Sequence, residues 1–351
     1  MVTMKDVARA AGVSQAAVSY AYSKSHKVSA AQRERIYSVA DSLGYAGPSV
    51  VGSGLRSGRV GAVGVVVADS LVHGLQDPST ILLMKGIAGE GALTGVAITL
   101  LPATLPGAGS HSQALRGLVD GVVLHNLPSG HPLVRALVAR EIPTVVVDSP
   151  REQGLPYVGI DDRNGARLQM KHLLALGHRR VGILVDRLHQ DSEPLLVSST
   201  VARAATEHNA RERIAGYLQA CMEARVPLSA LSFVDAAGID AEAGERAMRR
   251  LLDSDPSHTA IIAMSDVHAA AAHRVLRARG HDVPGDVSVI GFDDAPVAEL
   301  LGLSTIHQPI EEKGRAAASI LLDRIAGGTR ERALFTTRLV QRDSTAPPPR
   351  P

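Results

Sequence analysis

The chain reads as an α/β protein in which a small helical head precedes a larger body of two parallel-sheet lobes. Three observations carry that reading. The first sixty residues hold three short, separately capped helical segments; from Val60 onward short Val/Ile-rich runs alternate with helical stretches; and charge is divided unevenly along the chain. Residues 1–60 contain eight basic side chains against three acids, a net +5, whereas the whole chain is only +2, so the remainder is −3. A basic head on a mildly acidic body is the distribution expected when only the head meets phosphate.

The head is read from its caps. Thr3 followed three residues later by Asp6 forms a capping-box pattern, and Val7, Ala8 and Ala11 give the inward stripe of a helix that Gly12 ends. Ser14 caps a second helix, Gln15 to Tyr22, after a turn of only Gly12 and Val13. Ser29 with Gln32 caps a third, whose apolar face of Ile36, Val39, Ala40 and Leu43 covers the first two until Gly44 stops it. Two short helices joined so tightly, with the small apolar residues Ala8, Val13 and Val18 at their crossing, make a helix-turn-helix. Residues 1–46 are therefore expected to form one domain, followed by a Gly/Ser-containing hinge or linker over 47–59.

In the body, strands are expected at 61–68, 96–101, 121–125, 143–148, 180–185, 259–264 and 287–292, separated by helices. That alternation implies parallel sheets with crossover helices. The number of units exceeds one compact sheet, so two Rossmann-like lobes face each other across a cleft, where strand ends form a ligand crevice. A stretch at 190–208, long and polar, reads as a mobile flap over that crevice, and whether 68–78 belongs to such a flap is left open.

Composition narrows the function classes. The chain has 351 residues, 45% of them hydrophobic, but no apolar run of membrane-spanning length and no greasy leader, so a cytoplasmic protein without a membrane partner is expected. The single cysteine, Cys221, leaves no intramolecular disulfide and no Cys-based zinc site; a buried structural thiol is expected. No GxGxxG follows a strand, and no Walker loop, HExxH or GxSxG occurs, so neither catalytic residues, metal nor cofactor are expected. A catalytic or solute-binding α/β protein without DNA regulation is the competing class, and the basic three-helix head speaks against it.

The order Thr3-Met4-Lys5-Asp6-Val7-Ala8, Ala11-Gly12-Val13-Ser14, Ala17-Val18-Ser19, Val28-Ser29 and Leu43-Gly44-Tyr45 resembles the DNA-binding headpiece of the lactose/galactose repressor (LacI/GalR) family. Further along, the run from His172 to Gly182, Arg213-Ile214-Ala215-Gly216-Tyr217, Ala263-Met264-Ser265-Asp266, the run from Asp286 to Asp294 and Thr305-Ile306-His307-Gln308-Pro309 resemble the core of the same family, which is related to periplasmic sugar-binding proteins. The resemblance implies two lobes of the periplasmic-binding-protein type within 60–343, one from 61–157 with 295–325 and the other from 158–292 with 330–343, and a disordered tail at 344–351.

It also implies roles. The second helix would enter the major groove with Gln15, Ala16 and Tyr20 at base edges, Ser14, Ser19 and Lys27 nearer phosphates, and Thr3, Met4 and Ser29 completing the contacts of the headpiece. Gln15 can pair bidentately with adenine, and Ala16 can touch a thymine methyl. Tyr20 either reads a base or packs on the third helix. In the hinge, Leu55 would wedge into the minor groove beside Arg56, although Gly52 and Gly54 weaken any helix there. For an effector, the implied residues are Asp77 and Pro78 on one lip and Asn164, Arg213, Tyr217, Ser265, Phe292 and Asp293 opposite. Arg213 faces the ligand or pairs with Glu212 at the surface; Asp293 faces it or caps a turn. The partners implied are double-stranded, pseudo-palindromic operator DNA, a sugar-like effector acting as inducer or corepressor, and a second copy of the chain in a homodimer.

Overall fold

The computed structural model describes residues 2–22, 27–47, 59–67, 71–103, 119–188 and 193–350. It divides into two compact units, Met1–Gly61 and Ala62–Pro351.

In the first unit the helices are α1 (Met4–Ala11), α2 (Gln15–Tyr22) and α3 (Ala30–Ser42). The caps are those the sequence implies. Thr3 Oγ1 donates to Asp6 Oδ2 at 2.6 Å, Ser14 Oγ accepts from the Ala17 amide, and Ser29 Oγ accepts from the Gln32 amide. Gly12 ends α1 at φ 64°, a left-handed conformation that costs glycine little. Val7, Ala11, Val18, Ala21, Ile36 and Ala40 make the buried centre. Leu43, expected on the covering face, is 38% exposed instead. The chain reverses at Gly44, and the rings of Tyr37 and Tyr45 pack edge-on against Tyr22, sealing that end in its place.

The second unit contains two sheets. Strands β1 (Ala62–Val67), β2 (Ala97–Pro102), β3 (Gly121–His125), β4 (Thr144–Val147), β5 (Tyr157–Ile160) and β12 (Arg332–Phe335) form an all-parallel sheet in the order β12-β5-β4-β3-β1-β2. The other sheet runs β10-β9-β6-β8-β7, from β6 (Val181–Val185), β7 (Leu195–Val197), β8 (Leu231–Asp235), β9 (Ala260–Ala263) and β10 (Ser288–Ile290). A third pair, β11 (Thr305–His307) with β13 (Arg338–Val340), is antiparallel. Strands β1, β3 and β4 are buried along their whole length, as parallel strands covered by helices on both faces must be.

Several expected boundaries move. Residues 158–160 and Arg332–Phe335, assigned to the second lobe from sequence, pair with each other and complete the first sheet. Residues 295–303, assigned to the first lobe, pack Ala298 and Leu303 into the second lobe's core. The tail expected to be disordered is docked through Ala346. Ser344 exchanges bonds with Val289, which its hydroxyl reaches at 2.6 Å, His172 meets Thr345, and His178 meets the Ala346 carbonyl. Strand β10 would otherwise leave those backbone groups unpaired at the sheet edge. Nor do residues 193–208 form a flap: β7 adds antiparallel to β8, and Ala202 and Ala205 are buried in the core. Residues 68–70 and 189–192 lie outside the described residues; Leu71–Gln76 is a short helix, α4.

Helices α5 (Pro78–Ala88) and α13 (Ile310–Ile325) cross at Gly86 and Gly314, where a Cβ on Gly314 would meet the Leu83 carbonyl and one on Gly86 the Glu311 carbonyl. Two backbones touch there, so neither neighbour can rotate away. Gly314→Ala is expected to cost about 1–3 kcal/mol, read as a fall in the urea midpoint with unchanged slope.

Candidate nucleic-acid interface and ligand cleft

On the first unit, Ser14, Gln15 and Ala16 are exposed at the start of α2, with Ser19 and Tyr20 half-exposed one turn on. The Tyr20 ring packs at the margin of the head's core, and the Lys27 ammonium lies 4.9 Å from its centroid. The side-chain oxygens of Thr3 and Ser29 are taken up by caps, and Met4 packs on the core, so these three orient the helices. The Thr3 bonds and the nearby Arg9 and Lys5 charges keep the Asp6 carboxyl below its usual range. Leu55 and Arg56 lie outside the described residues.

In the second unit, the carboxyl ends of strands from both sheets converge on one cavity of about 70 Å³. His125 and Asp148 come from the ends of β3 and β4, Asp186 follows β6, Ser265 follows β9, and Asp293 follows β10. Of the expected residues, Asp77, Arg213, Ser265 and Asp293 line it; Pro78, Asn164, Tyr217 and Phe292 do not. Pro78 opens α5 with its ring turned to a different groove. Asn164 lies in the first turn of α7 (Asp162–Leu176), its amide held by Asp161. Tyr217 is wholly buried and donates its hydroxyl to Gln169 Oε1 at 2.8 Å. Phe292 is also buried, with the Arg213 guanidinium stacked 3.7 Å from its ring centroid. Both aromatic residues are buried in the core, Phe292 under the Arg213 guanidinium and Tyr217 against Gln169, and neither lines the cavity.

Arg213 sits on α9 (His208–Glu223) and does not pair with Glu212, which bonds Arg163. Its Nε donates to Asp162 Oδ1 at 2.8 Å and its Nη1 to the Met264 carbonyl at 2.6 Å. Burial opposes its charge, yet the carboxylates of Asp162 and Asp293 outweigh burial and hold the guanidinium firmly protonated. Ser265 caps the helix Asp266–Ala278 and bonds Asp186, which also lies 3.0 Å from His268 Nδ1. Burial would raise Asp186; those bonds and the neighbouring cations bring it below its ordinary range. Asp77 accepts from the amides of Ser79 and Thr80 at the N-terminus of α5.

The opposite wall was less visible in the sequence. Lys313, 1% exposed, donates to Asp148 at 2.7 Å and to Gln308 Oε1 at 2.6 Å, and Gln308 Nε2 donates to Asp293 Oδ1 at 2.6 Å. A polar chain therefore runs from the first sheet to the second along the cavity. Burial pushes the Asp293 carboxyl well above its usual range, Asp266 adding to the rise and Arg213 opposing it. His125, 3.7 Å from Asp148, is held neutral chiefly by burial. Asp148 and Gln308 were within motifs already marked as a strand end and a Gln-Pro pair. Nothing in the pattern around Lys313 separates it from the exposed charges of α13.

Among the described residues no helix is long and apolar enough to cross a membrane. The family described as bacterial regulatory proteins, lacI family, matches residues 3–47, and the periplasmic binding protein-like domain matches residues 170–345. The chain is 35% identical over 349 residues to the HTH-type transcriptional regulator Rv3575c of Mycobacterium tuberculosis, covering 99% of this chain and 97% of that one. It is similar to a solved transcriptional regulator CelR–cellobiose complex, with 30% identity, a TM-score of 0.67 and coverage of 98% and 100% of the two chains. The lac repressor dimer bound to operator shares the fold at 22% identity, with a TM-score of 0.78 over 98% of this chain and 99% of that one. Identity of this order across nearly the whole of both chains, with the two family models falling on the two units, places this chain in the lacI family of bacterial HTH-type transcriptional regulators.

Proposed function

We propose that the chain is a cytoplasmic homodimeric repressor whose grip on a pseudo-palindromic operator is set by a sugar-like molecule bound between its lobes, and that it binds this effector without transforming it. The observation carrying this reading is the cavity to which both sheets bring hydrogen-bonding side chains: Asp148 and Lys313 from one, Asp186, Ser265 and Arg213 from the other. A molecule with several hydroxyls can bond both walls at once, so it binds one relative arrangement of the lobes better than another and shifts the balance between them. The CelR relative in complex with cellobiose supports a sugar.

A second copy of the chain is supported by a groove of about 1000 Å³ elsewhere on the same unit, lined by Val72, Val267, Val297 and Leu301 and carrying Glu242 and Arg274. Val72 is 64% and Leu301 39% exposed, and an apolar floor with both signs of charge suits a two-fold interface that must complement itself. Leu301→Glu is expected to give monomers in sedimentation and to weaken operator binding; a dimer of unchanged stability would place the interface elsewhere.

The test of the whole reading is selection of random duplexes by the full-length protein, followed by release assays with a panel of sugars. An inverted repeat should emerge, and Gln15→Ala should relax preference at one position in each half-site, costing about 1–3 kcal/mol of discrimination. Enrichment of no sequence, or a repeat that no sugar releases or tightens, would sink the operator or the effector half of the proposal respectively.

A further inference from the structure

Strands β5 and β12 begin side by side, Tyr157 opposite Arg332, at the edge of the first sheet. The last turn of α13 and the loop before β5 rise beside them and enclose a hollow of about 200 Å³. Arg151, Arg324 and Arg332 line it together with Glu152, Glu331 and Tyr157. Among the described residues, none of the three guanidiniums is ion-paired to a carboxylate. Arg151 stacks on the Tyr157 ring at 5.4 Å, and Arg324 donates one bond, to the Gly328 carbonyl. Glu152 is partly spent on the Gly130 amide, and Glu331 is exposed. Each guanidinium carries five donors in a planar fork, so most of the donors around this hollow are unused by the protein.

The group that matches several such forks is a phosphate, whose oxygens accept paired bonds from more than one guanidinium. The hollow is also one side chain from the ligand cavity. The Tyr157 hydroxyl donates to the Asp148 backbone carbonyl at 3.1 Å, and the Asp148 carboxylate holds Lys313. We propose that this hollow is a second ligand site that takes a phosphate group, separate from the cavity between the lobes and linked to it through Tyr157. The phosphate belongs either to a free phosphorylated small molecule or to the DNA backbone; the chemistry of recognition is the same.

The test uses the full-length protein and inorganic pyrophosphate, titrated calorimetrically at constant ionic strength against a chloride control. The basic head also attracts phosphate, so the comparison is with Arg324→Gln/Arg332→Gln; Arg332 is exposed, Arg324 is half-buried and spends one donor on the Gly328 carbonyl, and melting without pyrophosphate checks that the variant is folded before affinities are compared. The double variant is expected to bind about tenfold more weakly or worse. Tyr157→Phe, which keeps the ring under Arg151, is expected to bind pyrophosphate normally but to lose the slowing of amide exchange that pyrophosphate causes over residues 145–149. Equal affinity of wild type and double variant, or no heat beyond the chloride control, overturns the site; the same slowing in Tyr157→Phe overturns the link. The source follows from the salt dependence of binding to a duplex without operator sequence. A slope reduced by about two in the double variant assigns the phosphate to DNA, and an unchanged slope assigns it to a free ligand.

Discussion

Arg213→Met is expected to destabilise the second unit by about 3–5 kcal/mol at neutral pH and to abolish the response to any ligand of the inter-lobe cavity. Both partners of the pair are buried, with the Arg213 side chain 9% and the Asp162 side chain 2% exposed, so no water replaces the lost guanidinium. Burial already raises the Asp162 carboxyl above its ordinary range, and Arg213 is the principal force limiting that rise. In the variant the folded-state value climbs further above the unfolded one. A carboxyl raised in this way contributes stability that is fully present below its unfolded value and is lost as pH rises through its folded value. The deficit should therefore be larger at about pH 8 than at about pH 5, measured as guanidinium chloride midpoints at the two pH values. Asp162→Asn in the same chain should recover most of it, since an amide needs no counter-charge. A small deficit, flat with pH, would mean that stacking on Phe292 and the bond to Met264 matter more than the ion pair.

Lys313→Met is expected to have the next largest effect, about 3 kcal/mol, because it removes the cation from a buried Asp148. Here the structure offers partial relief. His125 lies 3.7 Å from Asp148 and is kept neutral by burial and, to a lesser extent, by repulsion from Lys313. With the ammonium gone, the imidazole should gain a proton more easily and become the counter-ion, visible as an upward shift of its titration by NMR. Lys313→Met/Asp148→Asn should restore stability while still cutting the bond to Gln308. Since Gln308 passes that contact to Asp293, the double variant should also show whether the polar chain carries the ligand signal between lobes: with both side chains lost from the cavity wall ligand binding should weaken, and operator release should fail even at saturating ligand.

The headpiece was legible almost residue by residue because its determinants are local. A cap needs only a hydroxyl or carboxylate within three residues of the amides it satisfies, and Thr3, Ser14 and Ser29 announce themselves by spacing. The apolar runs that became β1, β3, β4, β6 and β9 were equally plain, since parallel strands covered on both faces are continuously hydrophobic. Less regular segments were harder to place. Tyr157–Ile160 and Arg332–Phe335 belong to one sheet only because they pair across 171 intervening residues, and neither carries a mark of its partner. The tail's hydrogen bonds to β10 escaped notice for the same reason: Pro-rich composition suggests disorder, but Ser344 bonds Val289 before the prolines begin.

The cleft divides along that line. Which residue types would meet there, a guanidinium, two carboxylates and a serine, followed from the resemblance to the repressor family. Which of them face the cavity depended on packing. Tyr217 and Phe292 are aromatic and near the right strands, yet each is buried behind Arg213, where the ring and hydroxyl hold that side chain's surroundings in place. Lys313 is the converse, a residue that on a helix surface would be a solvated charge. It is buried because α13 approaches through the Gly86–Gly314 crossing closely enough to press that face against Asp148. Local pattern thus decided the helices, the strands and the division of charge, because each depends on neighbours a few residues away. The choice between a lining residue and a supporting one was left to the three-dimensional packing, because desolvation and ion pairing depend on groups that the chain brings together from distant positions, as with Lys313 and Asp148, 165 apart.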